Sequence, residues 1–177
     1  MKETVKVGII GSQFISTIHA ESLARCQSAE MLAVASPSNG NAKSFAAKHD
    51  IPHHFTDYRE LLAMSEIDMV VIGIPNHVHC EAVVAAAEAG KHIVIEKPLC
   101  LNMKEADLMV EAAKKADVKL MYAEELCFAP KYVRLKQLLD SGALGKPTLI
   151  KQSEKHDGPH APHFWDVEQS GGGVVMD

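Results

Sequence analysis

Five short apolar segments alternate with stretches of helical character, and this rhythm restricts the chain more than any other feature. They are VKVGII (5–10), MLAVAS (31–36), DMVVIGI (68–74), HIVIE (92–96) and VKLMYAE (118–124). A near-continuous apolar strand must be covered on both faces, as in a parallel sheet sandwiched by helices. The intervening stretches supply those helices at about 15–26, 41–49, 80–90 and 103–116, with a short one in YRELLAM and a weak strand in HHFT. The predicted fold class is α/β, a doubly wound, Rossmann-type parallel sheet over residues 1–124. From residue 125 the character changes. PKYVRLKQLLD reads as a helix with proline at its start, and KPTLIKQSEKH alternates like a half-exposed strand of another sheet. A Pro/Gly/His-rich loop follows. Residues 125–177 are therefore expected to begin a second, α+β domain that is incomplete.

Composition narrows the functions. The 177 residues are 47% hydrophobic with a formal charge of −5, and Lys and Arg do not cluster. That argues against nucleic acid as a partner. No apolar run approaches the roughly 20 residues of a membrane span. The start reads as no secretion signal, and the four cysteines form no C-x-x-C pair. A cytoplasmic address with reduced thiols is the expectation.

In an open α/β sheet, ligands bind at the carboxyl ends of the strands near the point where strand order reverses. At those ends lie Gly11-Ser12-Gln13-Phe14-Ile15-Ser16, then Ser36-Pro37-Ser38-Asn39, Pro75-Asn76-His77-Val78-His79, Glu96-Lys97-Pro98 and Glu124-Glu125. Polar groups and prolines gather at this one edge. A dinucleotide fingerprint G-x-G-x-x-G keeps only Gly11 here; Gln13 and Ser16 replace the other two glycines. The side chain of Gln13 is expected to crowd the approach of a pyrophosphate. Ser36 stands where an acid would bind a ribose 2′-hydroxyl, so NAD and NADP both stay open, with Ser36, Ser38 and Lys43 leaning slightly to NADP. Lys97 reads either as a surface lysine or as a site residue. Glu96 either orients Lys97 or caps the neighbouring turn. The Lys97–Pro98 peptide is a candidate for the cis form. No metal site is expected: the His77/His79 pair lacks a third ligand at suitable spacing, and His156, His160 and His163 sit in a solvated loop. Trp165 reads as a packing anchor, and the Leu/Met/Val face of 103–116 as core.

Taken together, VGIIGSQFISTIHAESL, PNHVHCEAVVAAAEAGKHIVIEKPL, GALGKP and WDVEQSGGGVVMD resemble the Gfo/Idh/MocA family of NAD(P)-dependent oxidoreductases along the whole chain. The resemblance implies NAD or NADP as cofactor and a sugar, inositol or related polyol as substrate. It implies catalytic roles for Lys97 and for Asp177, the aspartate of a D-x-x-x-H pair. It places the cofactor along Gly11, Gln13, Phe14, Ile15, Ser36, Pro75, Asn76, His79, Glu96, Lys97 and Pro98. Family chains are about twice as long, so this chain is expected to be a fragment or a truncated product, inactive alone. A homo-oligomer is expected, with the apolar TLI and VVM segments hidden by pairing or disorder. The rival reading is a non-catalytic nucleotide-binding module acting as a sensor or assembly partner.

Overall fold

The computed structural model describes residues 4–153, 155, 158 and 161–172. Six parallel strands make one sheet: β1 (Val5–Ile10), β2 (Ala29–Ala35), β3 (His53–Phe55), β4 (Met69–Ile72), β5 (His92–Ile95) and β6 (Leu120–Tyr122). Their order is β3-β2-β1-β4-β5-β6. The order reverses between β1 and β4, so the position where open α/β sheets bind their ligands lies at the carboxyl ends, beyond the paired residues Ile10 and Ile72.

The connecting helices are α1 (Phe14–Leu23), α2 (Asn39–Lys48), α3 (Tyr58–Leu62), α4 (His79–Glu88) and α5 (Met103–Lys115). Successive residues of β1 serve opposite faces, as the pleat requires. Ile9 packs with Ala20 of α1 and with Phe45 and Ala46 of α2. Ile10 joins Leu61, Val83, Ile93, Ile95 and Met109 on the other face. Local chemistry fixes the helix starts. Ser38 accepts a bond from the Asn41 amide at the start of α2. Asn102 accepts from the Glu105 amide while the Glu105 carboxylate accepts from the Leu101 amide, a reciprocal cap that begins α5 right after the Glu-Lys-Pro turn.

Beyond the sheet lie α6 (Pro130–Asp140), a 3₁₀ turn at Pro162–Trp165 and the short α7 (Val167–Ser170). Three expectations change here. Residues 146–153 form no strand; Leu149 and Ile150 are 73% and 76% exposed, because alternation gives a segment two faces but, among the described residues, no neighbour to pair with. Trp165 is exposed at 76% and anchors no core among the described residues. On α5 only Met109 and Ala113 are buried, while Leu108 and Val110 face outward. The VVM segment and Asp177 lie outside the described residues.

Candidate functional site

The first turn is built around Gly11. Its φ is +113°, a region that side chains rarely adopt, and an added Cβ would stand 2.1 Å from the Gly73 carbonyl oxygen. β1 and β4 approach so closely here that only glycine fits. Gln13, by contrast, has an extended backbone (φ −94°) open to any residue, and its side chain makes no capping bond. The first turn of α1 carries no acid. Its amide end, beside a glycine cradle at the switch point, suits a pyrophosphate. Ser16, at the third fingerprint position, is fully buried, and its hydroxyl donates to the Gly73 carbonyl at 3.4 Å. The hydroxyl thus takes the space that a glycine leaves empty and still finds an acceptor. Phe14 is exposed and Ile15 half-buried at the mouth of this turn. Ser36, at the end of β2, is buried and its hydroxyl lies 2.8 Å from that of Ser12, so the two loops are linked where a ribose would sit.

Across the switch point, Pro75 leads into a 3₁₀ turn, Asn76–Val78, and then α4. Asn76 is buried and its amide donates to the Ser170 carbonyl at 3.0 Å. His79 is fully buried. Its Nε2 lies 2.8 Å from the Ile74 carbonyl and its Nδ1 3.0 Å from the Pro98 carbonyl. A neutral ring has one N–H and so donates to one of these carbonyls at a time. Burial pushes the His79 imidazole below its ordinary value, while the two carbonyls pull it up.

The Glu-Lys-Pro turn continues β5, and the Lys97–Pro98 peptide is cis. Glu96 is buried, Lys97 half-buried. The Glu96 carboxylate uses both oxygens: Oε1 lies 2.6 Å from His19 Nε2, and Oε2 accepts from the Lys97 backbone amide at 3.1 Å. Glu96 therefore does cap its own turn. His19 was not legible as a site residue. It lies 77 positions from Glu96 on an ordinary amphipathic helix, and only the placement of α1 against the end of β5 makes the pair.

The segment after Trp165 closes the picture. Besides the Asn76 bond, Gly171 (φ +83°) lies so close to Leu101 that a Cβ would stand 2.8 Å from its Cδ2. The Pro-Asn-x-x-His, Glu-Lys-Pro-Leu and Ser-Gly-Gly stretches thus meet at one edge. Asp177, His156 and His160 lie outside the described residues. His163 stacks on Phe164. Among the described residues, no three His, Cys, Asp or Glu side chains group as metal ligands, and no helix is long and apolar enough to cross a membrane.

Fold and site together define a dinucleotide-binding Rossmann protein. A family model described as "Oxidoreductase family, NAD-binding Rossmann fold" matches residues 5–124, and the chain belongs to this Gfo/Idh/MocA family of NAD-binding oxidoreductases. It is 31% identical to a myo-inositol 2-dehydrogenase of Thermotoga maritima over 173 residues, 98% of this chain and 51% of that protein. It is 38% identical to a scyllo-inositol 2-dehydrogenase (NADP(+)) of Bacillus subtilis over 135 residues, 76% of this chain and 41% of that protein. Among solved structures, levoglucosan dehydrogenase in complex with NADH superposes with a TM-score of 0.87 at 27% identity, covering 98% of this chain and 50% of the other. The chain spans about half the length of the curated relatives it matches.

Proposed function

We propose that this chain is the cofactor-binding half of a dehydrogenase that moves hydride between a nicotinamide and a carbinol carbon of a sugar, inositol or related polyol. The observation that carries the reading is the meeting of the Glu-Lys-Pro turn, the Pro-Asn-x-x-His loop and the Ser-Gly-Gly segment at the carboxyl edge of the sheet, beside the switch point. A nicotinamide bound there would accept or donate hydride, and the chain would supply the geometry and the group that takes or gives the proton. Lys97 holds the reacting hydroxyl and takes its proton as the carbon is oxidised. Glu96 fixes the Lys97 backbone. Asn76, His79 and Pro75 form the wall beside the nicotinamide, and Gly11, Gln13, Phe14, Ile15 and Ser36 carry the dinucleotide. Asp177 assists Lys97 at the substrate. Residues 125–177 begin a substrate domain. That domain also offers the surface for a homo-oligomer.

The test joins this chain to the carboxyl half of the Thermotoga maritima relative and assays inositols and sugars with NAD and NADP. Turnover is expected from the joined protein and not from the 177 residues alone. Lys97→Ala should lower kcat by about 10²–10⁴, the usual share of a positioned acid–base group. A Lys97→Ala enzyme that keeps its rate would refute the assignment.

A further inference from the structure

We infer that His19 is a positioning residue for Lys97: by holding Glu96 Oε1 it lets Glu96 Oε2 fix the Lys97 amide, tying the lysine to the first helix of the dinucleotide turn. The inference rests on the reading of Lys97 as the working lysine, but its bonds stand apart from that reading.

The chain of contacts is short. The Glu96 amide donates to the Ile72 carbonyl at 3.0 Å, so the residue's backbone is locked into the sheet. Its carboxylate is buried, and a buried carboxylate is stable only when its oxygens are engaged. His19 Nε2 engages one oxygen at 2.6 Å and the Lys97 N–H the other at 3.1 Å. Remove His19 and the carboxylate loses the partner that sets its rotamer, and with it the fixed acceptor for the Lys97 amide. On the far side of Lys97, the Pro98 carbonyl faces His79 of α4. Lys97 is thus flanked by two residues, each held by a histidine from a different helix.

His19 also has an address that suits coupling. It lies three residues after Ser16, which is itself bonded to Gly73 at the switch point. Its helix is capped at Gln13, where the pyrophosphate would meet the α1 amides. Any small shift of α1 on cofactor binding reaches Glu96 directly through the 2.6 Å contact. A site must be held within about 0.5 Å of productive geometry by such supporting groups.

The experiment reads the Lys97 backbone amide of the 177-residue protein by NMR, as hydrogen exchange and chemical shift, with and without NADH. In His19→Ala the Lys97 amide should exchange at least roughly tenfold faster. In His19→Gln, whose side-chain nitrogen reaches the same oxygen, protection should return. NADH should further slow Lys97 exchange in the wild type and in His19→Gln, but not in His19→Ala. Alanine is the strongest helix former, so α1 itself is not weakened; should that variant not fold, His19→Leu fills the same space without a nitrogen and is read in the same way. An unchanged Lys97 amide in the alanine or leucine variant, or no recovery with glutamine, overturns the inference. In the joined dehydrogenase, His19→Ala should lower kcat roughly 10–100-fold, the scale of a small misplacement, with substrate KM little changed and with rescue by glutamine. A Lys97→Ala enzyme of full activity would sink the lysine's role and leave the amide result standing, so the two failures are distinguishable.

Discussion

Asn76 and Ser170 stand 94 residues apart in sequence and are joined by one hydrogen bond of 3.0 Å, from the Asn76 side-chain amide to the Ser170 carbonyl. Ser170 closes α7, and its carbonyl is among those a helix end leaves unpaired. Asn76 supplies that missing donor and pins the Ser-Gly-Gly segment to the edge of the Rossmann sheet. Replacing Asn76 with Ala leaves a buried carbonyl unsatisfied, which costs about 1–3 kcal/mol. Amide exchange across 161–172 should accelerate while β1 and β4 keep their protection. Equal protection of 161–172 in both proteins would mean that the bond does not anchor the segment.

At Gly11 the outcome should be severe. A methyl group there would meet the Gly73 carbonyl at 2.1 Å and Ser16 Oγ at 2.9 Å, on a backbone with φ +113°. The Gly11 amide also donates to the Ala35 carbonyl at 2.8 Å, so the turn cannot swing aside without breaking the β1–β2 junction. Gly11→Ala should cost on the order of 3 kcal/mol or more, combining strain with a clash between backbones. Denaturant midpoints measure this. A variant as stable as the parent would show that the cradle is looser than the distances indicate.

His79 makes a prediction in pH. Burial, the largest influence, lowers its pKa below the ordinary 6.5 in the folded protein. A base whose folded pKa is depressed binds fewer protons folded than unfolded. Its contribution is therefore present above the unfolded value and lost as pH falls through the folded one. The Tm should hold steady from pH 8 to 7 and decline below about 6.5. His49, also lowered chiefly by burial, contributes with the same sign. His79→Gln, which keeps a nitrogen donor without a titrating ring, should flatten part of that decline. A Tm that rises on acidification in this range would show that the two carbonyls outweigh burial and hold the ring as a cation.

Much of this arrangement was legible in the residues. VKVGII marks β1 over its full span, because it is apolar on both faces and only a covered parallel strand suits it. The carboxyl-edge cluster follows from that topology, while the cis form before Pro98, a candidate because X-Pro bonds adopt it at modest cost in tight turns, is the one the structure holds. The pairing of His19 with Glu96 does not follow, since no local pattern records which helix face will meet which strand end. Lys91 carries no local signal either: it is buried, with its ammonium donating to the Met64 and Ile67 carbonyls. The alternation in residues 146–153 misled in the other direction. Leu149 and Ile150 are apolar, and among the described residues no sheet lies beside them.

Gln13 offers the sharpest test of the dinucleotide turn. Its backbone is extended at φ −94°, so glycine is not needed there to relieve strain. Its side chain caps nothing in α1, so removing it forfeits no bond. What the side chain does is stand at the helix end where a pyrophosphate must come close to the backbone. The 177-residue protein should bind NADH weakly, with a Kd on the order of tens of micromolar or above, near −6 kcal/mol. Gln13→Gly should tighten binding by about threefold to tenfold, up to about 1.4 kcal/mol. Calorimetric titration of both proteins with NADH and with NADPH measures the change and ranks the two cofactors at the Ser12–Ser36 pair. Sub-micromolar binding by the parent, unaltered by Gln13→Gly, would mean that the pyrophosphate is held away from residue 13 and that the lost glycine never mattered to this turn.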